Sequence, residues 1–383
     1  MFRNLLNSLK HLFPAFFRSI FRLRDAVKVA PVRLKLFFLE KNSAGLAVTY
    51  LGPYFPNAPA KRSEFVRGGA VKLTYLSESF SHSFPSANLL YAVSSVAHPL
   101  QMEILQMAKY KRLKIIVNQN GVAFPAWDGT NYEASNRFLR RLISFADFII
   151  YQSQFCKDSA ERYIFPPDVS NEIIYNPVDT RLFSPDASSV KPKTLTLLLG
   201  GNQYEKYRLE LALQTLHALH REIPGAKLIV TGTLWIPYDE ANAWTKQALH
   251  DMNLTEHVSF TGTYTQTAAP ALYSQAHLLL HTKYADPSPG LISEAMALGM
   301  PVVHLSNGGV PELVSDAGVG VKVNHDWDRI NLPDPQAMAD AVVQVYARRE
   351  ELSQRARQRA LDFFSLDKFI KKHKEVFEKV LSS

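Results

Sequence analysis

Short apolar runs alternate along the chain with stretches whose apolar residues recur every three or four positions. "GLAVTYL" (45–51), "NLLYAVSS" (88–95), "LKIIVNQ" (113–119), "DFIIYQS" (147–153) and "EIIYNP" (172–177) have the length and residue types of buried strands. Between them lie helical patterns such as "PLQMEILQMAKYKR" and "ASNRFLRRLISFA". A polar linker with prolines at both ends, "VDTRLFSPDASSVKPK" (178–193), interrupts the series. The alternation then restarts with "TLTLLLGG" (194–201), "AKLIVTG" (226–232), "HVSFTG" (257–262), "AHLLLHT" (276–282), "MPVVHLS" (300–306) and "GVGVKV" (318–323). From "LPDPQAMADAVV" to the end the pattern is helical. Strands separated by helices predict parallel, doubly wound sheets. The expected architecture is α/β, with two Rossmann-like domains, 45–178 and 194–360, facing a cleft. A last helix, 361–383, is expected to pack back across the domains. Ligands in such sheets bind outside the carboxyl ends of the strands.

The first 30 residues form a separate segment. "MFRNLLNSLKHLFPAFFRSIFRLR" (1–24) carries Arg3, Lys10, Arg18, Arg22 and Arg24 and no acid. Its apolar residues fall at helical spacing, with a break at Pro14. The run is too interrupted for a membrane span and fits a basic amphipathic helix lying on an anionic membrane surface. A helix packed on the protein itself, or a targeting leader, is the alternative.

At 383 residues the chain exceeds one ordinary core. Hydrophobic residues make up 46% and charged residues 20%, a globular composition. The net charge of +8 suits an anionic partner. The basic residues are dispersed and form no recognition motif, so no nucleic acid is expected. The lone Cys156 cannot form an internal disulfide, which favours a reducing compartment.

The densest chemistry lies in "DPSPGLISEAMALGMPVVHLSNGGVPE" (286–312), which has three acids and no Lys or Arg. It reads as a loop, a helix, a strand and a glycine turn. Pro289, Gly290 and Leu291 would open the helix, whose first N–H groups form an anion site fit for a nucleoside diphosphate. Asp286 lies in the loop and Glu294 about one turn into the helix. A carboxylate there can accept hydrogen bonds from a ribose diol. The plain structural alternative makes Glu294 a helix-dipole acid and Asp286 a turn former.

The ordered set resembles the GT-B glycosyltransferases of family 4, the group-1 glycosyltransferases. Asp286, seven residues and Glu294, followed by "EAMALGMPVV" and by "NGGVPE" with Gly308 and Gly309, match the family order of an acid, seven residues, a Glu, "EAMA-G-PVV" and "GG-PE". Asp286 stands where the family usually has Glu, one methylene longer. "EIIYNPVDTRLFSP" resembles the family's interdomain segment, and "LLLGGNQYEKYRLELAL" its first donor-domain strand, loop and helix. The resemblance is strong over 170–383 and weaker over 45–170. It implies that Asp286 faces a donor sugar and Glu294 the nucleotide ribose. It also implies that Gly200, Gly201, Asn202, Lys206 and Arg208 lie around the diphosphate. The family's usual arginine is missing, because Gly201 and Asn202 occupy its place, and Arg208 is the candidate substitute.

The first domain would supply the acceptor side. Gly68 and Gly69 in "VRGGAVK" suit a loop over a phosphate or sugar, although glycine pairs are common in turns. Asn118 and Asn120 end a strand where many family members carry a His. The implied reaction is retaining transfer of a hexosyl or deoxyhexosyl group from a nucleotide-sugar to a glycan hydroxyl, lipid-linked in many such enzymes. Lys206, Asp286 and Glu294 carry it, without a metal or further cofactor. The implied location is cytoplasmic and peripheral, on the inner face of the membrane. The alternatives are an epimerase or phosphorylase of the same fold, and a degenerate member that binds nucleotide or glycan without transfer.

Overall fold

A computed structural model describes residues 30–42, 45–60, 69–186 and 191–383. The amphipathic segment 1–24 and Gly68 lie outside the described residues.

Each apolar run named above forms a strand. Most of them hold four or five consecutive buried residues, which need cover on both sheet faces, whereas the strands in "EIIYNP", "HVSFTG" and "GVGVKV" are more exposed. β1 (Glu40–Lys41) pairs in parallel with β3 (Ser86–Ala87), a short ladder the patterning does not reveal. β2 (Val48–Leu51), β4 (Leu89–Val93), β5 (Lys114–Gln119), β6 (Phe148–Tyr151) and β7 (Asn171–Ile173) form a five-stranded sheet in that order. β2 and β4 are parallel, in register from Val48 opposite Leu89 to Leu51 opposite Ala92.

The second sheet holds six strands: β8 (Thr196–Leu199), β9 (Lys227–Thr231), β10 (Val258–Gly262), β11 (Leu278–His281), β12 (Val302–Leu305) and β13 (Gly318–Val321). Their spatial order is β10-β9-β8-β11-β12-β13, and all pairings are parallel. The chain thus winds outward one way from β8 and then the other way from β11. The carboxyl ends of β8 and β11 flank the point where the winding reverses, where open parallel sheets bind ligands.

By contacts the chain divides into two compact units. One runs up to Val117 and adds Phe145–Asp147 and Phe377–Ser383; the other comprises Asn118–Ser144 and Phe148–Val376. In the first unit Phe377 packs edge-on against Phe80 and Tyr91. In the second, Val302, Ile292, Met296, Val314 and Phe364 form a buried core. The C-terminal helical region consists of Pro335–Ala347, Arg349–Arg359, a π-turn at Ala360–Phe364, and Leu366–Ser382. Among the described residues no helix is long and apolar enough to cross a membrane.

Candidate active site at the ends of two strands

The site is assembled from the segments that leave β8 and β11, all within the second unit. After β8 the chain turns through Gly200 and Gly201 into the Lys206–Leu219 helix. Gly201 has φ +76 and donates its N–H to Thr231 Oγ1 at 2.9 Å. Asn202 Oδ1 accepts from Thr233 N–H and Oγ1–H at 2.9 and 3.1 Å, so this amide fixes the turn. Lys206 is exposed at the helix start, with Nζ 4.5 Å above the Trp244 ring.

Arg208 is buried. Its guanidinium donates to the Asn202 and Gly200 carbonyls, and its Nε has no hydrogen-bond partner. Arg208, two residues beyond Lys206, thus reaches the Gly200–Asn202 turn through its guanidinium. Thr282 Oγ1–H donates to the Arg208 carbonyl at 2.8 Å, and Tyr284 N–H to Tyr207 Oη at 3.0 Å. These bonds tie the first helix to the loop after β11.

That loop carries Asp286, which is 8% exposed. Lys283 Nζ lies 3.6 Å from Oδ1 and His281 Nε2 3.4 Å from Oδ2. The latter pair misses hydrogen-bond geometry, which leaves His281 Nε2 buried without a partner. Burial works against ionisation of Asp286, but the charge of Lys283, with Arg208 behind it, outweighs that cost. The carboxyl is held well below the usual carboxylate range. Burial lowers the pKa of His281, which favours its neutral form.

Pro289 precedes the Gly290–Ala297 helix, which has no side-chain cap. Glu294 is partly buried one turn in and accepts from Tyr273 Oη–H at 3.2 Å. Tyr273 is in turn 2.7 Å from Tyr264 Oη. Burial pushes the Glu294 carboxyl up to about 7, and its hydrogen bonds to Tyr273 and Gln266 only moderate the rise. The two acids of one motif are therefore tuned in opposite directions by their surroundings. Gly308, with φ +69, and Gly309 pack directly on the 285–287 backbone: a Cβ at 308 would lie 2.6 Å from the Asp286 carbonyl oxygen.

Glu312, the third acid of the segment, is engaged elsewhere. It accepts from Gln154 N–H at 2.7 Å and from Tyr175 Oη–H at 2.9 Å. Gln154 opens the Gln154–Tyr163 helix, so the carboxylate sits at a helix N-terminus.

Asn118 and Asn120 meet on one side chain, since Gln152 Nε2 donates to both Oδ1 atoms. Gln152 Oε1 accepts from Asn176 Nδ2 at 2.9 Å, which also donates to the Ser288 carbonyl at 2.9 Å. A chain of amides thus leads from the end of β5 to the loop that holds Asp286. Gly69 lies in the first unit, where a Cβ would meet Ser95 Oγ at 2.3 Å. Sequence reasoning missed Gln152, Ser153, Asn176, His281 and Lys283. Only Ser153 left a local trace, as a Ser opening a helical pattern. Among the described residues no group of three His, Cys, Asp or Glu could hold a metal ion.

This fold is shared with solved structures. Anabaena Alr3699/HepE in complex with UDP matches with a TM-score of 0.69, covering 87% of this chain and 100% of that one at 15% identity. Sucrose-phosphate synthase from Thermosynechococcus elongatus matches with a TM-score of 0.64 over 90% of this chain and 96% of that one, also at 15% identity. The architecture is that of the GT-B glycosyltransferases. Residues 194–348 match the family model for glycosyl transferases group 1.

Curated relatives match over shorter spans. Spore coat protein SA of Bacillus subtilis (strain 168) is 25% identical over 175 residues, 44% of this chain and 45% of that protein. The GDP-mannose-dependent alpha-(1-6)-phosphatidylinositol monomannoside mannosyltransferase of Mycobacterium tuberculosis (strain CDC 1551 / Oshkosh) is 26% identical over 228 residues, 55% of this chain and 56% of that protein. The chain spans about half the length of the curated relatives it matches.

Proposed function

We propose that the protein is a glycosyltransferase that moves a sugar from a nucleotide-sugar to an acceptor hydroxyl, with retention at the anomeric carbon. The observation that carries this reading is the convergence at the β8/β11 switch point. Gly200–Gly201, the uncapped Gly290–Ala297 helix and the oppositely tuned Asp286 and Glu294 all belong there.

In this reading Glu294 accepts hydrogen bonds from the ribose diol. Free N–H groups at Gly290 and Leu291, with Lys206, stabilise charge on the leaving diphosphate. Arg208 holds the Gly200–Asn202 turn. Asp286, kept ionised, binds hydroxyls of the donor sugar. The bond from the anomeric carbon to phosphate breaks as the acceptor oxygen bonds on the same face. The acceptor's proton passes to the departing phosphate oxygen, so the protein need not supply a strong base. No metal or further cofactor takes part. Residues 45–178 carry the acceptor side, through Gly68, Gly69, Asn118 and Asn120, and 194–360 the donor side.

We extend the proposal to a lipid-linked glycan acceptor at the inner face of a membrane. Its support is the basic amphipathic sequence of residues 1–24 and the phosphatidylinositol monomannoside in the mycobacterial relative's name.

The test is calorimetric binding of UDP, GDP, ADP and dTDP to the wild type and to Glu294→Ala. One diphosphate should bind at micromolar strength and lose at least tenfold in the variant. No binding to the folded wild type would overturn the reading. A second reading, a binder without transfer, is favoured by the short Asp286 side chain, already paired with Lys283. Tight diphosphate binding with no turnover of any nucleotide-sugar would select it.

A further inference from the structure

The loop that bears Asp286 is held by its own backbone oxygens, and each is taken by a different segment. The Asp286 carbonyl accepts from Gly309 N–H at 2.9 Å. The Pro287 carbonyl accepts from Ser153 Oγ–H at 2.7 Å. The Ser288 carbonyl accepts from Asn176 Nδ2–H at 2.9 Å. Pro287 and Pro289 have no N–H of their own, so the loop cannot form a regular ladder and depends on these outside donors.

Ser153 is fully buried and fixed in both directions. Its Oγ accepts from Cys156 N–H at 3.0 Å as the cap of the Gln154–Tyr163 helix, which leaves its single proton for Pro287. Asn176 Nδ2 also lies 3.2 Å from Ser288 Oγ and 2.9 Å from Gln152 Oε1, so this amide joins the loop to the end of β6. Steric clearance serves the same contacts. A Cβ at Gly309 would lie 2.0 Å from the Pro287 carbonyl oxygen and 2.9 Å from Ser153 Oγ, and one at Gly121 would lie 2.6 Å from Pro287 Cγ.

We propose that Ser153 and Asn176 are positioning residues for the transfer reaction. They act through the Pro287 and Ser288 carbonyls to set where the Asp286 carboxylate meets the donor sugar. The inference rests on the proposed function. Neither residue hydrogen-bonds to the Gly200–Asn202 turn or to Glu294, which have partners of their own. The Gly290–Ala297 helix that follows the loop is anchored in the core by Ile292, Ala295 and Met296, so loosening Ser153 or Asn176 moves Asp286 more than the proposed nucleotide contacts. A misplacement of about an ångström costs a reaction far more than it costs binding.

The experiment compares Ser153→Ala, Ser153→Thr, Asn176→Ala and Asn176→Asp with the wild type. It measures kcat and KM for the nucleotide-sugar the wild type uses, and Kd for the matching nucleoside diphosphate. Ser153→Ala, Asn176→Ala and Asn176→Asp should each lower kcat about ten- to a hundredfold, with diphosphate Kd within about twofold of wild type. Ser153→Thr, which keeps the hydroxyl, should recover most of kcat. Should Ser153→Ala fail to fold, the two Asn176 variants decide the matter through the same split between kcat and Kd. Unchanged kcat in the folded alanine variants would overturn the inference, as would kcat and diphosphate affinity falling together. A wild type that binds no diphosphate would instead overturn the proposed function, and this inference with it.

Discussion

Leu291 fills the space that any side chain at Gly200 would occupy. A Cβ built at Gly200 would lie 2.6 Å from Leu291 Cδ1 and 2.7 Å from Cδ2. Gly200, just after β8, and Leu291, in the helix that follows the β11 loop, are 91 positions apart in the sequence and lie side by side at the proposed diphosphate site. Gly200→Ala should destabilise the fold by about 1–3 kcal/mol, because Leu291 also packs on the core and has little room to move. Diphosphate affinity should fall at least tenfold. The double variant Gly200→Ala/Leu291→Ala should recover part of both losses. Urea unfolding and calorimetry read the two effects.

On the proposed mechanism Glu294 should make nucleotide binding pH-dependent. Only its ionised form accepts hydrogen bonds from two hydroxyls through both oxygens, and its carboxyl titrates at about 7. Diphosphate affinity should rise between about pH 6 and 8 and flatten above. Binding at about pH 7 should release a proton, visible as a heat that varies with the buffer's ionisation enthalpy. Glu294→Gln should bind weakly and without this dependence.

The same group has a stability consequence with a definite sign. Its folded pKa lies above its ordinary value of 4.5, so its contribution is complete below that value and is lost as pH rises through about 7. The Tm of Glu294→Gln relative to wild type should therefore increase from about pH 5 to 8.

Asp286 behaves in the opposite sense. Its folded pKa is depressed, so its contribution is present above its ordinary value of 3.8 and is lost as pH falls below it. Asp286→Asn should flatten the acid limb of the Tm profile. On the proposed mechanism it should also lower kcat about ten- to a hundredfold, the worth of one charge-assisted hydrogen bond, and leave diphosphate Kd nearly unchanged.

Glu312 should separate structure from chemistry. Glu312→Ala removes the acceptor for Gln154 N–H and for Tyr175 Oη–H, and should cost about 1–3 kcal/mol in urea unfolding. Diphosphate binding, measured by calorimetry, should stay within about twofold. A large loss of affinity would place Glu312 in the binding site.

Much of this protein was legible because the signals are local. "TLTLLLGG" and "AHLLLHT" are strands whatever surrounds them, since an unbroken apolar run bounded by turn residues suits only a sheet covered on both faces. "EAMALGMPVV" with "NGGVPE" carried the resemblance to the family whose model matches residues 194–348, and the Gly290–Ala297 helix begins where "PGL" places it. The β1–β3 pair was not legible, because two-residue strands leave no period to read.

Folded neighbours decided the rest. The composition of 286–312 does not show which of its three acids is charged. Lys283, three residues before Asp286, depresses it; burial raises Glu294 against the Tyr273 hydrogen bond; Gln154, 158 residues away, claims Glu312. Asn118 and Asn120 were visible as a strand end, but their link to Ser288 runs through Gln152 and Asn176. By itself the sequence determined most of the strands and helices and the resemblance carried by 286–312, because these depend on residues near one another along the chain. The tertiary structure alone decided which carboxylate is charged and what holds its loop, because charge and hydrogen bonding depend on distances that only folding sets.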